Sequence, residues 1–466
     1  MSVMQQPSCD HSIAADPGSV SLSSLRHPLV ERLLRHYPEE LQRLVAGLGS
    51  PLHVMLPQVF TENLRRFQQA FAQSPASGSL LFAKKANKAD CLVQACAAQR
   101  VGVDVASVGE LEKALAGGVA GQHIGVSGPE KSDRLLALCI SHQCLLAIDS
   151  LAELQRVQQM AQQRQQPVNI LLRWQPDSQP DSRFGLQEQE CQAAIAYCYA
   201  QRQWLKLLGF SFHLGGYSVA ERASTANQLL EQCIAARKAG LEHCSKVNLG
   251  GGLAVRYVDP QAWKAFCENN RPDHYHAARA FAGFYPYGSP RAGAEALADL
   301  LASAVGDGLN LGQKAARQAI ELLIEPGRAL LDQAGLSAFR VQAVKDRSTS
   351  HGYAMVTVEG SSFSLSEQWF NSEYLPEPVL LTASPREPAP FVACIGGSSC
   401  LEADMLTWRK IRFEHPVRPG DLLLYLNTAG YQMDSNESPF HEARLPHKVV
   451  VELDGHALRW KLDGLA

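Results

Sequence analysis

From residue 80 to residue 328 the chain repeats one pattern eight times, and this repetition limits the folds open to it. A short β-type run with little charge is followed by a longer stretch of helical period. The runs are "LLFAKK" ending at Lys85, "VGVDVAS" (101–107), "HIGVSGP" (123–129) and "LLAIDS" (145–150). They continue with "NILLRW" (169–174), "LLGFSFHLGG" (207–216), "KVNLGGGL" (246–253) and "ELLIEPGR" (321–328). Between them, segments such as "SVGELEKALAGGV" and "TANQLLEQCIAARKAG" start at Ser or Thr, which can cap a helix, and two end at Gly. Eight units over about 250 residues match the size of a (β/α)8 barrel. A doubly wound open sheet is the competing topology, and the number of units favours the barrel.

The rhythm breaks between the last two runs, where about 70 residues include the aromatic, Pro- and Gly-rich stretch 272–292. An insertion at about 266–300 is expected on the catalytic face, closing over the ligand through Tyr275, Phe281, Phe284 and Tyr285. The barrel domain is placed at 50–330, with "SPLHVMLPQVFTENLRRFQQAF" as a strand and helix leading into it. Residues 331–466 read as a β-rich C-terminal domain, and residues 1–49 as a partly flexible N-terminal extension. The opening residues lack the basic leader and apolar core of a signal peptide, and no apolar run approaches a membrane span. A formal charge of −3 gives no reason to expect nucleic acid or an anionic membrane as partner. The twelve cysteines are scattered singly with no C-x-x-C pair, so free thiols in a cytoplasmic protein, and no metal, are expected.

Barrel enzymes build their sites at the C-terminal ends of the strands, and polar residues cluster there. Lys84 and Lys85 close the first run, Asp104 and Ser107 the second, and His213 the sixth. Gly250, Gly251 and Gly252 close the seventh, and Glu325, Gly327 and Arg328 the eighth. Glycine clusters let backbone N–H groups approach a phosphate, to which Arg328 can add a charge-assisted bond. A lysine, a phosphate cradle, a histidine and a carboxylate together suit pyridoxal 5'-phosphate. The lysine must be deprotonated to form an imine, and a desolvated barrel mouth is expected to lower its pKa. A carboxylate at the pyridine nitrogen keeps the ring able to accept electrons.

The ordered motifs "LLFAKKANK", "VGVDVASVGELEKAL", "IGVSGPEKS", "SRFG", "GFSFHLGG", "VNLGGGL", "LLIEPGR" and "GGSSCLEAD" resemble those of fold-type III pyridoxal-phosphate decarboxylases. These are the diaminopimelate and ornithine decarboxylases and their specialised-metabolite relatives. The resemblance runs from about residue 50 to the C-terminus and implies an alanine-racemase-like (β/α)8 TIM barrel plus a β-rich C-terminal domain. It selects Lys85 as the imine-forming lysine, in agreement with strand alternation, which sends Lys84 to the opposite face; Lys88 is expected in solvent. It also implies that His213 stacks on the ring, Glu325 contacts the pyridine nitrogen, and Asp104 supports the lysine end. Gly252, Gly327 and Arg328, with Tyr431, would hold the phosphate. Cys400 matches a cysteine donated by the second subunit as proton donor, which implies a homodimer with composite sites.

Three departures bear on the substrate. Relatives acting on diamino acids carry an acidic residue directly after the cysteine, where this chain has Leu401, with Glu402 one position later. The Asp-Gly of the β-domain appears as Glu359-Gly360, and Gly216 stands where many relatives have a phosphate-binding serine. Together they point to the specialised branch, which includes siderophore-type enzymes acting on citrate-conjugated diamino acids. The expected activity is decarboxylation of an amino acid or amino-acid conjugate. A racemase or epimerase on the same barrel, and a catalytically silent cofactor-binding relative, are the alternatives; retention of Lys85 and Cys400 speaks against the second.

Overall fold

The computed structural model describes residues 19–365, 371–435 and 437–464. Eight parallel strands close into a barrel: Gly78–Ala83, Gly102–Val105, Ile124–Val126, Leu145–Ile148, Val168–Trp174, Leu205–Phe212, Lys246–Asn248 and Glu321–Ile324. The first strand pairs with the eighth, Gly78 opposite Leu322 and Leu80 opposite Ile324. That closure rules out the open sheet. Each of the eight sequence runs overlaps its strand, and most of the polar residues at the run ends fall just beyond it, in the loops. Several helices begin where the sequence put a cap. Side-chain oxygens of Ser107, Ser132 and Ser150 accept the backbone N–H of Glu110, Leu135 and Glu153; the helix expected to start at Thr225 starts earlier, at Val219, where Ser218 caps the Glu221 N–H. Such a cap contributes about 1 kcal/mol and fixes the length of the loop before it.

A nine-stranded mixed sheet forms the second part. Its strand Leu52–Met55 corrects one expectation: it does not belong with the barrel. It pairs antiparallel with Gly335–Lys345 and parallel with His447–Asp454. All four of its residues are buried, as suits a strand between two neighbours. Helix Pro57–Ala72 then carries the chain into the barrel. One continuous apolar core runs through both parts. The portion of the N-terminal extension before residue 19 lies outside the described residues. Beyond it, helices Pro28–His36 and Pro38–Leu48 bury Val30, Leu33, Leu41, Leu44 and Val45.

The insertion between the last two barrel strands contains helices Pro260–Asn269, Gly293–Ala302 and Leu311–Arg317. Its aromatic segment is held by side-chain packing: ring centroids of Tyr275 and Phe281 lie 5.3 Å apart, those of Phe281 and Phe284 5.5 Å. It leans on the second sheet, where His276 Nδ1 meets Tyr353 Oη at 2.7 Å and the Arg279 guanidinium lies 4.4 Å from the Trp408 ring.

Candidate functional site

A cavity of about 740 Å³ opens at the C-terminal mouth of the barrel. Lys85, His213, Gly251, Gly252, Glu325, Gly327, Arg328 and Tyr431 line it, joined by Phe284 and Tyr285 from the insertion. Thus only the tip of the aromatic segment reaches the cavity. Tyr275, expected to face ligand, is 2% exposed and serves as an anchor instead.

Lys85 and Lys84 do part company, but not by strand alternation. The first strand ends at Ala83, and Lys84–Ala86 form a 3-10 turn. That turn sends Lys85 into the cavity and buries Lys84, whose Nζ donates to the Lys88 carbonyl at 3.2 Å. Lys88 is exposed yet not free in solvent: its Nζ reaches the Asp434 carbonyl at 3.3 Å and Glu437 Oε2 at 3.2 Å. A second correction concerns charge. Burial works to lower the pKa of Lys85, as expected, but Tyr431, Asp104 and Glu325 outweigh it and the net direction is upward. The free amine is therefore held as ammonium by its neighbours.

Beneath the lysine, Asp104 is 3% exposed and accepts from Ser127 Oγ at 3.1 Å, while its Oδ1 has no hydrogen-bond partner. Burial and the nearby Glu325 push its carboxyl well above the usual range, against the pull of Lys85. Asn248 Nδ2 donates to Glu325 Oε1 at 2.5 Å, fixing that carboxylate across the strands. Across the cavity, burial, then Arg173, Lys85 and Arg222, push His213 down to about 4, so its ring is neutral at pH 7. The Phe184 and His213 ring centroids lie 6.0 Å apart in an edge-to-face arrangement, and Phe184 is covered by the Arg173 guanidinium at 4.4 Å.

The glycine loops form the other end. Gly252 has φ +77°, and a Cβ there would stand 2.5 Å from Arg222 Nη2. A Cβ on Gly327 would stand 2.9 Å from Ala86 Cβ and 3.1 Å from Tyr431 Oη. Arg222, which sequence reasoning missed, organises these loops. It is 2% exposed and donates to the carbonyls of Leu249 at 2.8 Å and of Leu214, Gly216 and Gly252 at 3.4 Å each. Arg328 lies 4.1 Å from the Tyr285 ring and 4.9 Å from that of Tyr431, and donates to the Gly430 carbonyl at 3.0 Å. Tyr431 adopts φ +75° and its N–H donates to the Ala86 carbonyl at 2.8 Å, tying this end to the lysine turn.

The remaining sequence candidates lie elsewhere in the chain. Cys400 lines a separate cavity of about 430 Å³, with Gly360, Ser398 and His441. Leu401 is 44% exposed, and Glu402 is exposed beside it. Glu359 pairs with Arg340 Nε at 3.1 Å. None of these four lines the Lys85 cavity.

Residues 58–332, more than half of the chain, match the family model for the pyridoxal-binding domain of pyridoxal-dependent decarboxylases. The chain belongs to that family. It is 34% identical over 425 residues to "Uncharacterized protein y4yA" of Sinorhizobium fredii, covering 90% of this chain and 91% of the relative. It is 25% identical over 432 residues to a diaminopimelate decarboxylase of Bacillus methanolicus, covering 88% and 89%. A crystal structure of the diaminopimelate decarboxylase from M. jannaschi shares the fold, with TM-score 0.70, 19% identity and 91% and 92% coverage.

As a pyridoxal-dependent decarboxylase, the protein uses pyridoxal phosphate, and the cavity suits that cofactor. The cavity lining brings together an amine (Lys85), close-walled glycine loops beside a guanidinium (Arg328) and a fixed carboxylate (Glu325), the kinds of group that an aldehyde, a phosphate and a pyridine nitrogen would need. Asp104 Oδ1 is buried without a hydrogen-bond partner, and the carboxyl interacts electrostatically with Lys85. Among the described residues no helix is long and apolar enough to cross a membrane.

Proposed function

We propose that the protein releases carbon dioxide from an amino acid or amino-acid conjugate, in a homodimer where each chain lends Cys400 to its partner's Lys85 cavity. The observation carrying this reading is that Lys85 and Cys400 of one chain open onto different cavities, so a site using both needs two chains. When bound, pyridoxal phosphate supplies an electron sink that stabilises the carbanion left by departing carbon dioxide.

The chain's own residues do the rest. Lys85 anchors the cofactor end and, with Asp104 beneath it, accepts or returns the amine proton. His213, neutral at pH 7, offers a flat uncharged face that supports the ring without competing for its electrons. Glu325, oriented by Asn248, holds the pyridine N–H. The Gly250–Gly252 loop, Gly327, Arg328 and Tyr431 hold the phosphate, and the backbone N–H groups beside Gly216 replace the missing serine. Phe284 and Tyr285 keep water from that end. Cys400 of the second chain gives its proton to the α-carbon.

Leu401 offers no charge to a second amine, and Glu359 is engaged with Arg340. That favours a substrate of the specialised-metabolite kind over diaminopimelate or ornithine. Nine of the eleven free cysteines among the described residues are buried, which suits a cytoplasmic enzyme. The test is carbon dioxide release and product mass across a panel of amino acids and their conjugates. A product lighter by one carboxyl group is expected; an inverted α-centre with the carboxylate retained would replace this reading with a racemase.

A further inference from the structure

The Cys400 thiol has a partner that the proposed reaction leaves unused. Its Sγ lies 3.2 Å from His441 Nε2, and the Cys400 backbone N–H points at the same nitrogen from 3.4 Å. His441 sits 41 positions away in the chain, on a segment between sheet strands, so the contact is made by the fold and not by sequence proximity. The imidazole is held on purpose-built backbone. His441 and Glu442 both adopt left-handed φ, +58° and +57°, a conformation that non-glycine residues hold only where the surroundings enforce it. The Phe440 ring braces the imidazole edge-on at 4.3 Å and is itself braced by Phe363 at 6.0 Å. Both Cys400 and His441 are open to solvent in the single chain.

We propose that His441 is the positioning residue for Cys400: its Nε2 fixes the thiol's direction and reloads the sulfur with a proton after each turnover. This rests on the reading of Cys400 as proton donor. In the resting pair the S–H donates to Nε2. When the thiol proton passes to the carbon that has lost carbon dioxide, the sulfur is left as thiolate. The imidazole takes a proton from solvent and hands it across the 3.2 Å gap, restoring the thiol. One proton leaves water and one arrives at carbon in each cycle, with no change of oxidation state. Other charged or titratable groups near the pair are Arg444 and His447 in the same cavity, and Asp404, whose Oδ2 accepts the Ser399 N–H at 3.1 Å and so shapes the cysteine loop.

The experiment is iodoacetamide alkylation of the cofactor-loaded enzyme from about pH 5.5 to 9.5, read at Cys400 by peptide mass spectrometry. Wild type is compared with His441→Asn and His441→Gly, both of which tolerate left-handed backbone. Cys267, the other exposed thiol among the described residues, is the internal control. Loss of the imidazole is expected to slow Cys400 alkylation about tenfold near neutral pH, with Cys267 unmoved. Turnover is expected to fall about tenfold in kcat with KM little changed. An unchanged Cys400 profile in both variants overturns the proposal. Alkylation needs no substrate, so a failure of the decarboxylation reading would show separately, as absent carbon dioxide release with the thiol profile intact.

Discussion

Arg222 allows the account of the cofactor cradle to be tested with a single substitution. Its guanidinium is buried between the loops after the sixth and seventh barrel strands and donates to four carbonyls. Burial pushes its pKa down to about 10, against Glu221 and Tyr217, so it is still charged at pH 7. Arg222→Leu keeps an apolar side chain but removes every donor. The 2.8 Å bond to Leu249 is charge-assisted, and losing it costs about 1.5–3 kcal/mol; the three 3.4 Å contacts are weaker and add roughly 1 kcal/mol together. About half of that falls on loop geometry rather than on global stability, if the freed carbonyls recruit water. Some 1.5–2 kcal/mol lost from the phosphate end corresponds to a Kd for pyridoxal phosphate raised about 10- to 30-fold. Titration of the cofactor-free protein, followed by near-visible absorbance, measures this directly. Arg222→Lys retains the charge but only one direction of donation and is expected to fall between. A Kd within about twofold of wild type for Arg222→Leu would refute the idea that this arginine sets the cradle.

Mixing inactive Lys85→Ala and Cys400→Ala chains is expected to restore about a quarter of wild-type turnover, because half of the dimers are then mixed and carry one intact site of two; no recovery after subunit exchange would rule out sites shared between chains. Tyr285→Ala removes the ring 4.1 Å from Arg328 and should weaken cofactor binding by about 1 kcal/mol, roughly fivefold, as read by the same titration. His53 gives a pH prediction. Burial, then the Lys448 charge, with Asp434 opposing, push its pKa down to about 3. It protonates near 6.5 in the unfolded chain, so the unfolded state binds the extra proton between those values, and this group's contribution to stability is lost as pH falls through that window. The stability advantage of wild type over His53→Asn should therefore shrink by about 2 kcal/mol between pH 6.5 and 5, seen as converging melting temperatures; a constant difference would contradict the assignment.

The barrel was legible because each buried strand is a short apolar run ending in polar residues, and several of the following helices announce themselves with a serine cap such as Ser107 or Ser150. Lys85, His213, Glu325 and Arg328 sit at those run ends, which is why the sequence grouped residues that the fold brings to one cavity. What stayed hidden has a physical reason in each case. Leu52–Met55 lies next to the barrel in sequence, but its partners are residues 335–345 and 447–454, a pairing no local pattern reveals. Arg222 sits within a helix of otherwise ordinary composition and looks like any surface arginine until the loops fold over it. Asn248, the last residue of the seventh strand and two before the triple glycine, is present in the quoted motif and could have been found as a carboxylate-fixing amide. The pKa of Lys85 was read from burial alone, whereas three acidic neighbours from different strands and a distant turn decide its direction. His441 reaches Cys400 only through the folded second sheet.

The central claim is that the turn at the end of the first barrel strand delivers Lys85, and not the buried Lys84, to the cofactor. Borohydride reduction of the coloured holoenzyme followed by peptide mapping tests it most directly. The account predicts loss of the near-visible band and a reduced cofactor adduct on Lys85 alone. An adduct on Lys84, or a reduced peptide adduct that persists in Lys85→Ala, would contradict it.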